Sequence, residues 1–170
     1  MAPSAYWQQA IDSTPHEWEA RAVVAAAWLQ GAKAVVDLGC GTMVLERYLA
    51  PGQVYIPVDL VERDARTLVI DLDEDPLPVV DADTCTLLGV IGYLYDPAAL
   101  LRKVHAAFPR VVLSYATVAM TPKKRAQDRR NSLSPGEVRR LIAEAGFTVV
   151  RETELATSEL LFELRSTSAH

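Results

Sequence analysis

The sequence has little cysteine, no excess of positive charge and no long apolar run. Cys40 and Cys85 are the two cysteines in 170 residues, too few for a disulfide framework, and no Cys/His set has zinc-site spacing. No metal is expected, and stability must come from an apolar core. Bases are outnumbered, 17 Lys and Arg against 22 Asp and Glu, for a net charge of −5. That balance argues against a generic binder of nucleic acid or anionic membrane, since both need a basic footprint. The longest helical apolar run, Ala22 to Leu29, is far below the ~18 residues of a membrane span. The opening Met1 to Trp7 has no basic segment leading into an apolar stretch, so no signal peptide is expected and a reducing cytoplasm is the expected location.

What is present is the balance of a folded domain: 50% of residues are apolar and 23% charged. At this length about 70% of the unfolded chain's surface is buried on folding, enough for a core without staples. No repeat or linker divides the chain, so one domain over 1–170 is expected, with an N-terminal segment and helix over 1–31 and a core over 32–170.

Thr14-Pro15-His16-Glu17 reads as a helix start with a Thr cap, and the helix extends to about Gln30, with Val24, Ala27 and Trp28 at helical spacing. Short apolar runs bounded by turn residues follow: Ala34 to Leu38, Val54 to Asp59, Thr67 to Asp71, Thr84 to Gly89 and Arg110 to Tyr115. They read as buried strands. Asp96-Pro97 caps a helix with Leu100, Leu101, Val104 and Phe108 on one face. Ser134-Pro135-Gly136-Glu137 is a capping box opening a helix that stops at Gly146. Phe147 to Arg151 and Leu160 to Leu164 are the last strands. Strands alternating with helices imply a doubly wound α/β fold, a mostly parallel sheet with helices on both faces. Only Leu60 to Arg66 separate the second and third strands, shorter than an ordinary parallel crossover, so a reduced turn must serve there.

The chemistry centres on Val35-Val36-Asp37-Leu38-Gly39-Cys40-Gly41-Thr42, a strand running into a glycine turn and a short helix near Val44 to Leu49. Glycines there permit a tight turn and close approach of a ligand at the carboxyl end of a strand. Asp59 ends the second strand 18 residues beyond Gly41, where a carboxylate can accept bonds from ribose hydroxyls. Asp71 ends the third. A nicotinamide dinucleotide, as in a dehydrogenase, is disfavoured because Asp37 would face a pyrophosphate and Val44 replaces the last glycine of the longer motif. S-adenosylmethionine, with a sulfonium, an ammonium, a ribose and no phosphate, fits the acids better.

On these residues the chain resembles the class I S-adenosylmethionine-dependent methyltransferases, from about Tyr6 to Arg165. The resemblance implies a seven-stranded sheet with an antiparallel last strand and a cofactor site made of Asp37, Gly39, Cys40, Gly41, Asp59, Leu60, Asp71, Leu72 and Gly89. Leu88 to Leu94 resembles the family's fourth-strand motif beside the cofactor's methionine part. Two departures stand out: Met43 in place of a third glycine, and Gly92 where relatives often carry Glu. They also suggest a second reading, a methyltransferase-like module acting as a binding or assembly partner.

Methyl transfer needs alignment more than a base. Candidate bases are Tyr93, Tyr6, His16 and His105, with Tyr93 the best placed and His105 read as packing or surface. Tyr6 and Trp7 either cover the cofactor and acceptor or anchor the terminus. Cys40 packs within its loop, with no base to activate it. Five of the 17 bases fall between Lys123 and Arg130, a solvated loop or, with Lys124 and Arg125, a contact for an anionic acceptor. The acceptor is expected to be a small molecule, a carrier-bound group or a glycan rather than nucleic acid, and a second copy of the chain could wall the cleft.

Overall fold

The computed structural model describes residues 16–117, 129–157 and 159–166. Helix α1 (His16–Trp28) leads into β1 (Ala34–Leu38), a 3-10 turn (Val44–Tyr48), β2 (Val54–Asp59), β3 (Leu68–Val69) and β4 (Thr84–Leu88). A second 3-10 turn (Ile91–Tyr93), α2 (Pro97–Ala107), β5 (Arg110–Ala116), α3 (Pro135–Glu144), β6 (Phe147–Glu154) and β7 (Glu159–Ser166) complete it. The seven strands form one sheet in the order β3-β2-β1-β4-β5-β7-β6. The first five are mutually parallel, and β7 runs antiparallel to both β5 and β6. This is the expected doubly wound architecture with its reversed last strand.

Local chemistry explains the element ends. The Asp96 side chain accepts from Ala99 N at 2.9 Å, with Pro97 in the first turn of α2. At α3 the capping box is complete: Glu137 N donates to Ser134 Oγ, and Ser134 N donates to Glu137 Oε2 at 2.7 Å. The corresponding cap of α1, Thr14-Pro15, lies outside the described residues.

The two faces of the sheet differ, and the period of two explains how. Val36, Leu38, Cys85, Leu87, Val111, Leu113, Phe162 and Leu164 point into a core closed by α2 and α3. Their neighbours Val35, Leu88, Val112 and Leu161 meet Ala22, Ala25, Ala26 and Leu29 of α1. On the α1 side the same alternation also buries Asp37, Thr86, Ser114, Glu159 and Glu163. The core facing α2 and α3 is therefore almost wholly apolar, whereas the α1 face carries charge that must be paired.

Two expectations are corrected. The buried stripe of α1 is Ala22, Ala25, Ala26 and Leu29 with Trp28, while Ala27 is exposed and Val24 half-buried. Alanine lets the helix lie close to the sheet, and in an alanine-rich helix hydropathy contrast does not mark the inward face. The third strand is only Leu68–Val69, not Thr67 to Asp71. It follows the expected short connection, in which Thr67 Oγ1 accepts from both Arg63 N and Asp64 N at 3.1 Å. Pro57 shows why a short β3 suffices. Val58 O accepts from Gly39 N and Cys40 N, so the preceding residue turns its missing donor outward, to the edge beyond the Val58 and Asp59 pairing with β3.

Candidate functional site

The carboxyl ends of β1, β2, β4 and β5 open into a cleft of about 380 Å³, where open parallel sheets hold ligands. Asp37, Gly39, Cys40, Gly41, Asp59, Leu60, Asp71, Leu72, Gly89 and Tyr93 all line it. Residues far apart in sequence are thus brought to one wall.

The loop after β1 folds as its glycines predict. Gly39 and Gly41 have φ of 78° and 53°, in the left-handed region that side chains disfavour. A Cβ at Gly39 would come within 2.5 Å of Val90 Cγ2. Met43 adopts φ 54° and ψ 33°, so the backbone keeps a glycine-like conformation under a long side chain.

Asp59 organises that loop. Its Oδ2 accepts from Gly41 N at 2.8 Å, and its Oδ1 accepts from Val61 N and Arg63 Nη2, both at 3.1 Å. Asp37 is buried, with its oxygens accepting from Tyr55 Oη at 2.7 Å and Thr86 Oγ1 at 2.6 Å. Burial pushes its carboxyl above the ordinary range, against those two bonds and the charge of Arg21, which pull it down. Burial likewise raises the Tyr55 hydroxyl and the Cys40 and Cys85 thiols, with the Asp37 charge adding to it. Cys40 is a buried residue of the cleft wall. Asp71 lies beyond β3 in a turn, where its Oδ1 accepts from Asp73 N at 3.0 Å.

Several cleft residues carried no signal in the sequence. Trp18 and Arg21 come from α1 and line the cleft. Arg21 pairs with Glu159 at 3.2 Å, Glu159 accepts from Ser114 Oγ at 2.6 Å, and a Cβ on Gly89 would strike the Arg21 guanidinium. Arg63, Tyr95, Tyr115, Arg129 and Arg130 complete the walls. The last two belong to the basic run flagged by composition. Tyr6, Trp7, Lys124 and Arg125 lie outside the described residues, as does the side chain of His16. His105 stacks edge-on against Phe147 at 5.0 Å, a packing role. Among the described residues no Asp, Glu, His and Cys group could hold a metal, and no helix is long and apolar enough to cross a membrane.

No protein-family model matches the chain, and no curated protein matches it by sequence. Solved structures do match. Human N-acetylserotonin methyltransferase in complex with S-adenosylmethionine superposes with a TM-score of 0.73 at 18% identity, over 97% of this chain and 57% of that one. The chain thus spans little more than half of the human enzyme. Burkholderia thailandensis 1,6-didemethyltoxoflavin-N1-methyltransferase, with S-adenosylhomocysteine and its 1,6-didemethyltoxoflavin, gives 0.73 at 19% over 97% and 84%. The N-methyltransferase NodS from Bradyrhizobium japonicum, with S-adenosylhomocysteine, gives 0.73 at 13% over 97% and 98%. At these identities the likeness is one of fold, and the fold is that of the class I methyltransferases.

Proposed function

We propose that this chain binds S-adenosylmethionine in the cleft and transfers its methyl group to an oxygen or nitrogen of a small-molecule, carrier-bound or glycan acceptor, in the cytoplasm. The observation that carries the reading is the convergence of Asp37 of β1, Asp59 at the end of β2 and Asp71 in the turn after β3 on one cleft beside Gly39 and Gly41. Clustered carboxylates attract a cationic nucleoside and repel a pyrophosphate. The antiparallel β7 between β5 and β6 also departs from the order 3-2-1-4-5-6 of the dinucleotide-binding fold.

The residues present fit the cofactor. Asp59 would accept from the ribose, Leu60, Asp71 and Leu72 would border the adenine, and the Gly39 to Gly41 backbone with Gly89 would border the methionine portion. Asp37 would act as a charge behind the loop, since both of its oxygens already accept hydroxyl bonds. When bound, the cofactor supplies an activated sulfonium methyl, so the protein's task is alignment. Tyr93, which ends the second 3-10 turn and lines the cleft, would orient an acceptor.

Isothermal titration with S-adenosylmethionine and S-adenosylhomocysteine tests the reading. Saturable binding is expected, weakened about tenfold or more by Asp59→Ala, which corresponds to ~1.4 kcal/mol. Absence of binding by either compound, or an unchanged Kd in a folded Asp59→Ala protein, would remove it.

A further inference from the structure

The cleft extends past the residues assigned to the cofactor. It runs across the carboxyl edge of the sheet, from Asp71 and Asp73 beyond β3 to Thr157 and Glu159 at the turn into β7. In the strand order β7 lies three spacings from β1, about 14 Å at ~4.8 Å per strand. Asp37, Asp59 and Asp71 belong to β1, β2 and the turn after β3. The β7 end is therefore the part of the cleft left for an acceptor.

Glu159 is the charged group of that end. It stands opposite Ala116 at the end of β5, and its side chain is only 4% exposed. Its Oε1 accepts twice, from Ser114 Oγ at 2.6 Å and from Arg21 Nη1 at 3.2 Å, so β5 and α1 together fix the orientation of the carboxylate. Its Oε2 meets no donor among the described residues and is not one of the sealed polar atoms. Glu163, four residues on along the same face of β7, shows the contrast: Arg110, Arg151 and Arg165 all pair with it. A carboxylate oxygen this far from bulk water calls for a hydrogen-bond donor, and at Glu159 the cleft is where one can enter. Thr157 lines the same end, and its Oγ1 has no partner among the described residues, so no hydrogen bond holds its rotamer and the hydroxyl can turn to a ligand.

The charge of Arg21 offsets that of Glu159, so this corner suits a neutral donor better than an ammonium. A hydroxyl meets every requirement. Its proton goes to Glu159 Oε2, one lone pair accepts from Thr157 Oγ1, and the second lone pair remains for the methyl group. A neutral amine has one lone pair and could not serve both. We propose that the acceptor presents a neutral hydroxyl to Glu159 Oε2 and that Glu159 is its general base. This rests on the methyltransferase reading and narrows it to O-methylation. As the hydroxyl oxygen takes the methyl group, the displaced electron pair stays on the cofactor's sulfur and the hydroxyl proton passes to Oε2. Sulfonium and carboxylate are thus neutralised in one step, with Ser114 and Arg21 still holding the other oxygen.

The test uses 4-nitrophenol, whose colour reports its ionisation, and 4-nitroanisole, its methyl ether, which has no proton to donate. Each is titrated into the protein with and without saturating S-adenosylhomocysteine, followed by absorbance and calorimetry. Neutral 4-nitrophenol is expected to bind at least about fivefold more tightly than the ether. The bound phenol should ionise at higher pH than the free one, because Glu159 accepts its proton and repels the phenolate. Glu159→Gln should abolish that shift and weaken 4-nitrophenol about fivefold or more, while leaving the S-adenosylhomocysteine Kd within about twofold. Thr157→Val should weaken the phenol by about threefold. Thermal unfolding checks that each variant is folded; should Glu159→Gln not fold, Thr157→Val and the comparison of phenol with ether decide. Equal affinity for phenol and ether, ionisation unshifted or lowered on binding, or a folded Glu159→Gln protein that behaves as wild type would each overturn the site. If S-adenosylhomocysteine does not bind but the Glu159-dependent shift is seen, the cofactor assignment falls and the hydroxyl site stands. If S-adenosylhomocysteine binds and the shift is missing, the hydroxyl site alone falls.

Discussion

Arg63 reaches back four residues to Asp59 and donates to its Oδ1 at 3.1 Å, with both side chains almost fully buried at the cleft wall. The same carboxylate accepts from Val61 N and Gly41 N. The proposed ribose acceptor is therefore also the anchor of the glycine loop, and one of its oxygens already carries two donors.

A ribose with two hydroxyls on Asp59 must compete with Arg63 for Oδ1. Arg63→Met is expected to lower the melting temperature, because it leaves a buried carboxylate short of a partner. It should tighten S-adenosylhomocysteine binding by about threefold to tenfold as the oxygen is released, on the scale of ~1 kcal/mol for one hydrogen bond. Calorimetry decides: a tenfold loss of affinity would mean that Arg63 contacts the ligand directly.

Asp37 sets stability against pH. Its carboxyl is raised by burial, so it keeps its proton to a higher pH in the folded chain than in the unfolded one. The associated stability is complete below the unfolded value of about 3.9 and is lost as pH rises through the folded value. Asp37→Asn carries no such loss. It should melt above the wild type at pH 7. The gap should close as pH falls toward about 4, while S-adenosylmethionine affinity drops at neutral pH. Melting curves across pH would refute this if the gap widened on acidification.

Gly39 is constrained twice, by φ 78° and by Val90. Gly39→Ala should cost about 2–4 kcal/mol in urea unfolding, combining a left-handed backbone with a steric clash. Adding Val90→Ala should return only the clash portion. Full recovery in the double variant would show that the backbone conformation carries no cost.

Met43 pays a similar conformational cost already, at φ 54°. Met43→Gly should stabilise the chain by about 0.5–1 kcal/mol, the left-handed penalty less the extra freedom of glycine when unfolded. Met43→Ala removes the same side chain without relieving the backbone and should not stabilise. Equal effects of the two substitutions would attribute the change to the Met43 contact with Arg66 instead.

The candidate site was partly legible. Asp37, Gly39, Gly41 and Asp59 announce themselves because each sits at the end of an apolar strand, where local pattern and turn chemistry coincide. Trp18, Arg21 and Glu159 did not, since Arg21 meets Glu159 across 138 positions and nothing local marks either. The inward face of α1 was misread because alanine is compatible with both surface and close packing. Thr67 to Asp71 read as a strand because Leu68, Val69 and Ile70 form a short apolar run bounded by turn residues, yet both residues of the actual β3 are exposed at the sheet edge.

By itself the sequence determined the strand and helix alternation, the caps at Asp96 and Ser134, and the glycine turn after β1, because the residue patterns that signal them lie among near neighbours in the chain. Only the tertiary structure decided which charges face one another in the cleft. Arg21 is matched to Glu159, and the space left by Gly92 to Arg129. Those pairings depend on where strands distant in sequence come to lie side by side, and on which polar groups burial then obliges to find a partner.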